Sequence, residues 1–192
     1  KAYGNISSLA AMTGLTYVDF IFTQVSGDIS ALSKLTKLTS IRMHGTNISG
    51  DINALSNLSK LQYCNTPNCS GNISALSGLG ELKEFASNSS SIVGDLAKLS
   101  SSCYSFDATN YEGTGFTWSS RASSSNIISI TGSPKIENID KMLQDLAQCQ
   151  TAIPDKSGTY NVVSATGTRT SASDTAVQTL QSKGYTVSII PA

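Results

Sequence analysis

His44 is the only histidine in this chain, and its four cysteines stand at positions 64, 69, 103 and 149. These residue types ordinarily supply a general base, a nucleophile, a metal ligand or a disulfide. Their arrangement here supports none of that chemistry well. A hydrolytic nucleophile needs a base beside it, and serine is so abundant that one near His44 carries no information. Zinc would call for paired ligands, yet there is no Cys-x-x-Cys pair and one histidine only. Two carboxylates could act without histidine, as in glycosidases. The acidic residues are instead scattered along the coils, three of them at the recurrent Gly-Asp turns, where turn chemistry explains them better. Gly113 and Gly115 form a Gly-x-Gly without the strand–helix setting of a phosphate loop. The expectation is a protein without catalytic residues, metal or cofactor, with His44 as a solvated or ligand-contacting surface residue.

The elements behind these residues follow from a repeat. Gly-Asp/Asn-Ile/Leu recurs at Gly4, Gly27, Gly50, Gly71 and Gly94, at steps of 23, 23, 21 and 23 residues. A fixed period of this size is the signature of stacked coils. The second unit runs Ile29, Leu32, Leu35, Leu38, Ile41, Met43, Thr46, Ile48 and Gly50. Apolar residues every third position fit neither an α-helix nor a strand, but do fit a 3₁₀-like coil whose side chains eclipse. The spacing of two at Ile41 and Met43 marks a short strand with one buried face. Each unit is thus expected to be one coil with a tight segment on one side and a strand on the other.

The first unit reads Ile6, Leu9, Met12, Leu15, Val18, Phe20, Thr23, Val25 and Gly27, all expected to point inward. The third loses two residues between Thr66 and Cys69. The fourth runs from Ile73 through Leu82 and Phe85 to Ser90 and Gly94, and a degraded fifth from Leu96 to Gly113. The glycines are expected at positive φ, which only glycine adopts without steric cost. The Asp or Asn that follows is expected to accept backbone N–H groups and start the next tight turn. Thr23, Thr46 and Ser90 are expected at the inward bend, their hydroxyls satisfying backbone groups.

Read from Leu32 to Ile52, L-x-x-L-x-x-L-x-x-I-x-M-x-x-T-N-I-S-G-D-I resembles the leucine-rich repeat, closest to the subclass with L-S-G-x-I-P after the strand. The bend residue is Thr or Ser in place of the usual Asn, and Ser30, Asn53 or Ser74 stands where the final Pro would be. The repeats and the Ser/Thr-rich second half also resemble secreted surface leucine-rich-repeat proteins of gut Bacteroidetes. The resemblance implies an α/β solenoid, a right-handed coil with a parallel strand sheet on its concave face. The convex side would be 3₁₀ or loop in the first half and α-helical in the C-terminal units.

The whole chain, 1–192, is expected to be a single solenoid: repeats over 4–113, an irregular connection at 114–126, and strand–helix units over 127–192 acting as a C-terminal cap. Strands are expected at Ile127–Ile130, Asn161–Ser164 and Thr186–Ile190. One helix is expected from Ile136 to Cys149, with Ile139, Met142, Leu143 and Leu146 inward. A second is capped by Ser173, buries Ala176, Val177 and Leu180, and closes at Gly184. A separate small α/β domain is the alternative.

The chain has 192 residues, 39% hydrophobic and 14% charged, with a formal charge of zero, which fits one globular domain and favours neither nucleic acid nor an anionic membrane. No apolar run is long enough to cross a bilayer. Lys1 begins in mid-pattern, read as a processed chain whose export signal is missing, so an extracellular or cell-surface location and a monomer are expected. The cysteines are read as small core residues, with a Cys64–Cys69 bridge inside one coil as the alternative.

Residues flanking the buried strand positions should face solvent: Tyr17, Asp19 and Ile21; Ser40, Arg42 and His44; Tyr63 and Asn65; Glu84, Ala86 and Asn88; Ser105, Asp107 and Thr109. Of these, Tyr17, Asp19, Ile21, Arg42, His44, Tyr63, Asn65, Glu84 and Asp107 are the candidate ligand-binding residues, since Tyr and Arg dominate interface energetics. The leading expectation is a non-enzymatic module that binds a protein or glycan through this face. The competing one is a structural repeat segment or spacer whose strand face is idle.

Overall fold

The structure is a computed structural model that describes residues 2–89, 91–151 and 161–192. Ser90, expected at an inward bend, lies outside the described residues. The second coil shows how the chain turns. Gly27 has φ +116°, and Asp28 then accepts the Ser30 N–H at 2.8 Å, capping a 3₁₀ turn over Ile29–Leu32. Successive i→i+3 bonds, Leu35 N–H to Leu32 O and Leu38 N–H to Leu35 O, hold the next inward leucines on one side. The same cap recurs at Asn5, Asp51, Asn72 and Asp95, each accepting from the residue two positions on.

Two parallel sheets line the coil, where one had been expected. One contains β2 (Tyr17–Asp19), β4 (Ser40–Arg42), β6 (Tyr63–Asn65), β8 (Glu84–Ala86), β10 (Ser105–Asp107), β12 (Ser129–Thr131), β13 (Val162–Thr166) and β14 (Thr186–Ile190), in that spatial order. The other stacks β1 (Tyr3–Asn5), β3 (Gln24–Asp28), β5 (Asn47–Asp51), β7 (Cys69–Asn72), β9 (Ile92–Asp95) and β11 (Phe116–Thr117). The Gly-Asp phrases are therefore themselves strand. Stacking places each phrase beside its predecessor, and ladder bonds form between them because backbone groups leaving the first sheet need partners. The third unit is two residues short, yet β7 keeps the register of the stack: Gly50 lies opposite Cys69 as Gly27 lies opposite Ile48 and Gly71 opposite Ile92.

A continuous apolar core runs from Ile6 to Tyr185, with Leu35, Leu58 and Leu79 completely buried. Their convergence bears out the inward assignment of the three-residue rows, and the chain folds as an α/β solenoid of leucine-rich-repeat type. The first coil departs from expectation. Met12 is 50% exposed, and Leu9, Leu15 and Phe20 are only partly buried. A coil is covered by its neighbours, and this one has a neighbour on one side among the described residues.

The strands of the second half continue the first sheet: β12 pairs in register with β10, Ile130 opposite Phe106. Helices α1 (Ile139–Gln148) and α2 (Asp174–Ser182) take the place of the tight segments and pack together. Ile139, Met142, Leu143, Leu146, Ala176 and Leu180 are buried as expected, while Val177 is only partly covered. Ser173 precedes α2 but makes no side-chain cap; its hydroxyl donates to Asp140 at 2.6 Å, and Thr170 caps the preceding 3₁₀ turn.

The stretch at 114–126 is anchored throughout. Gly115, at φ +109°, takes the turn expected at Gly113, and β11 joins the second sheet. Trp118 is buried and donates Nε1–H to Asp145 at 3.0 Å. Arg121 is buried too, its guanidinium donating to the carbonyls of Leu99, Ser100, Cys103 and Asn126 at 2.9–3.2 Å. A buried cation survives here because carbonyl dipoles replace its lost water.

Candidate functional site

The face of the β2–β14 sheet opposite the core carries the residues singled out above. In each strand the middle residue (Val18, Ile41, Cys64, Phe85, Phe106) is buried, so its neighbours point the other way. Tyr17, Arg42, Tyr63, Asn65, Glu84 and Asp107 come together along an open groove of about 600 Å³, with Ala86 and Thr131. His44, Asn65, Asn88, Asp107 and Thr109 border a smaller adjoining hollow of about 180 Å³. Ile21 lines neither. Ser40 lies in the groove but is 6% exposed, a correction to its reading as solvent-facing: it sits between Tyr17 and Tyr63 in the register, and larger neighbours cover it.

At one end the groups are bound to one another. The Tyr17 hydroxyl donates to Asp19 Oδ2 at 2.8 Å, and Arg42 reaches the same oxygen at 3.2 Å and the Tyr17 hydroxyl at 3.3 Å. The Ile21 N–H bonds Asp19 Oδ1, and that bond, with those from Tyr17 and the Arg42 charge, holds the Asp19 carboxyl below its usual pKa. Tyr17 is 48% exposed and Tyr63 37%. Lys83 lies over the Tyr63 ring, 5.9 Å from its centroid, while its ammonium donates to Gln62 at 3.0 Å.

The other end is anionic. Burial works to raise the Asp107 pKa, but the Thr109 hydroxyl and amide and the Thr131 hydroxyl, with a smaller contribution from the charge of His44, outweigh it, and the carboxyl stays below its usual value. All three donate to Asp107 Oδ1, at 2.6–2.9 Å. Glu84 accepts the Tyr104 hydroxyl on Oε1 at 2.9 Å. Between the two ends, Asn65 Oδ1 and the adjacent Thr66 Oγ1 are buried without a hydrogen-bond partner among the described residues. Thr66 falls where the second coil has Met43, so a hydroxyl sits in an apolar slot.

Two contributors were missed. Thr131 belongs to the face because Asp107 pairs with it across β10 and β12, one residue beyond the end expected for that strand. Phe22, 64% exposed with φ +54°, stacks edge-on against His44 at 5.1 Å. The signal for Phe22 was Gly45, 23 residues on, at φ +70°: a Cβ there would lie 2.6 Å from the Phe22 ring.

The four cysteines are free and buried, so the Cys64–Cys69 bridge does not form. Burial, with a smaller contribution from the Asp28 and Asp51 carboxylates, pushes the Cys69 thiol up to about 12; burial pushes Cys103 up to about 11. Among the described residues no group of three His, Cys, Asp or Glu side chains could hold a metal, and no helix is long and apolar enough to cross a membrane.

No family profile matches the chain, and no curated protein does. Solved structures similar to it include an internalin, inlF, of Listeria monocytogenes, at 16% identity and TM-score 0.38 over 96% of this chain and 77% of that one. Another is the plant peptide hormone receptor RGFR1 in complex with RGF2, at 17% identity and TM-score 0.48 over 98% of this chain and 38% of the receptor chain. A third is the ectodomain of the Arabidopsis thaliana receptor kinase GASSHO1/SCHENGEN3, at 13% identity and TM-score 0.43 over 98% and 31%. The chain spans well under half the length of the two plant receptor chains. The coil geometry itself, with its capped 3₁₀ turns, inward leucine rows and parallel sheets, is that of the leucine-rich-repeat fold.

Proposed function

We propose that this chain is a non-enzymatic binding module that recognises a protein or glycan through the exposed face of the β2–β14 sheet. The observation that carries the reading is the groove, in which side chains from β2, β4, β6, β8 and β10 line one continuous surface. Strands about 4.8 Å apart give those five a span of about 20 Å. Such a face suits a standard interface of roughly 800 Å² per partner. Tyr17, Arg42 and Tyr63 are residue types that concentrate binding energy. The backing core is fully packed, so docking incurs little ordering cost. An exported or cell-surface setting, and kinship with bacterial surface proteins, belong to the same proposal.

The test is a screen of the isolated chain against a glycan array and a panel of extracellular proteins, followed by the Tyr17→Ala/Tyr63→Ala double variant. We expect a saturable partner whose affinity falls at least about tenfold in the folded double variant, as loss of hot-spot contacts requires. A partner that binds the variant unchanged would move the site off this face. No saturable partner at all would favour the spacer reading.

A further inference from the structure

Resting on that reading, we propose that the occupant of the groove is an extended protein segment that places a basic side chain, arginine or lysine, between Glu84 and Asp107. The two halves of the groove differ in charge. At the Tyr17 end, Arg42 and Asp19 neutralise each other. At the far end Glu84 and Asp107, on the adjacent strands β8 and β10, have no cationic side chain within ion-pairing distance among the described residues; His44, which borders the adjoining hollow with Asp107, acts on that carboxylate only from beyond that distance. Lys83 is turned to Gln62 and the Tyr63 ring instead.

Among the described residues, each of these carboxylates spends one oxygen internally and keeps the other. Glu84 Oε1 takes the Tyr104 hydroxyl, leaving Oε2; Asp107 Oδ1 takes Thr109 and Thr131, leaving Oδ2. The internal bonds lock both side chains against the sheet, so the spare oxygens are held in place before anything binds. Preorganised anionic acceptors beside a tyrosine ring suit a guanidinium or ammonium, which satisfies both acceptors and lies against the aromatic surface. An uncharged glycan would leave the charge uncompensated in a partly enclosed groove. An acidic segment would be repelled from this half.

The direct test is a titration of the ¹⁵N-labelled chain with the capped peptide Ac-Gly-Arg-Gly-Arg-Gly-amide, followed by NMR. The matched citrulline peptide keeps the hydrogen-bond donors but loses the charge. We expect saturable shifts at amides 63–65, 84–86 and 105–107 with the arginine peptide. These should weaken at least tenfold with citrulline and in the Glu84→Gln/Asp107→Asn variant, whose amide oxygens still accept from Tyr104 and Thr109. Equal binding of the citrulline peptide, unchanged binding by the variant, or saturation by neutral chitohexaose instead would overturn the inference. If a partner found by screening depends on Tyr17 and Tyr63 but ignores the Glu84/Asp107 change, the strand-face reading stands and this inference falls. If that partner ignores both pairs, the strand-face reading falls and this inference with it.

Discussion

The carboxylate of Asp28 stands where Gly50 would carry its side chain: a Cβ on Gly50 would lie 2.8 Å from Asp28 Oδ1. The two residues belong to successive coils. The same relationship joins Asn5 to Gly27, Asp51 to Gly71 and Asn72 to Gly94. The glycine is thus required twice, once by its φ of +117° and once because the cap of the preceding coil occupies its side-chain space. The period of the sequence is therefore also a steric interlock between coils.

Gly50→Ala should destabilise the fold by about 2–3 kcal/mol, from left-handed strain of roughly 1–2 kcal/mol and partial loss of a cap worth about 1 kcal/mol. In the Asp28→Ala background the steric part disappears, so the double variant should lose less than the two single changes summed. Urea unfolding of all four proteins measures the coupling. Strict additivity would show that the interlock carries no energy.

Thr66→Val should raise stability by about 1 kcal/mol. The hydroxyl is buried without a partner among the described residues, and valine has nearly the same shape without that liability. A higher thermal midpoint is the expected result; a lower one would mean that the hydroxyl is satisfied in solution.

Arg121→Met should cost at least about 3 kcal/mol, since it strands the buried carbonyls of Leu99 and Cys103, which no other side chain reaches among the described residues, and takes a second donor from Ser100. Trp118 reports locally, because the Arg121 N–H and the Trp118 indole N–H both bond Asp145. A red shift of tryptophan emission at sub-denaturing urea would accompany the loss. Wild-type unfolding by this variant would remove Arg121 as the anchor of the connection.

The thiols should be inert in the native protein. With Cys69 and Cys103 pushed up to about 12 and 11, and Cys64 and Cys149 also raised by burial, little thiolate exists at pH 8. A disulfide reagent should label the cysteines only after denaturant is added. Rapid labelling of the folded chain would contradict their burial.

Stability should fall in acid. Asp19 and Asp28 sit below the ordinary carboxylate value, held there chiefly by bonds from the Ile21 amide and from Ser30. Asp107 and Asp140 are lowered as well, because bonds from Thr109 and Thr131, and from Ser173 and Thr170, outweigh their desolvation. Depressed folded values mean that the unfolded chain takes up protons first as pH drops. The contribution is complete above about pH 4 and is lost as pH falls through the folded values. Chemical denaturation at pH 6 and pH 3 should show the decline, shallower in Asp140→Asn than in the wild type.

Much of the fold was legible in the residues. Leucines three apart, a glycine and an Asx cap per turn are local requirements of a tight coil, and each acts within a few residues of itself. The inward rows, the caps at Asp28 and Asp51, and the faces of α1 and α2 could therefore be read directly from the chain. So could the candidate face at Tyr17, Arg42 and Tyr63, because strand alternation dictates which side chains share a side.

What only the tertiary structure decided depends on neighbours that the sequence places far apart. Gln24–Asp28 and Asn47–Asp51 are strands because coils stack, and nothing in their own alternation announces it. Met12 fits the apolar row yet meets solvent, since burial comes from the adjoining coil and not from the residue. Arg121 reads as an ordinary surface cation until carbonyls contributed by Leu99, Ser100 and Cys103 close around it. Whether Glu84 and Asp107 keep a free oxygen was likewise set by partners on other coils, Tyr104 and Thr131. A repeat specifies its own turn; the company each turn keeps is a property of the stack.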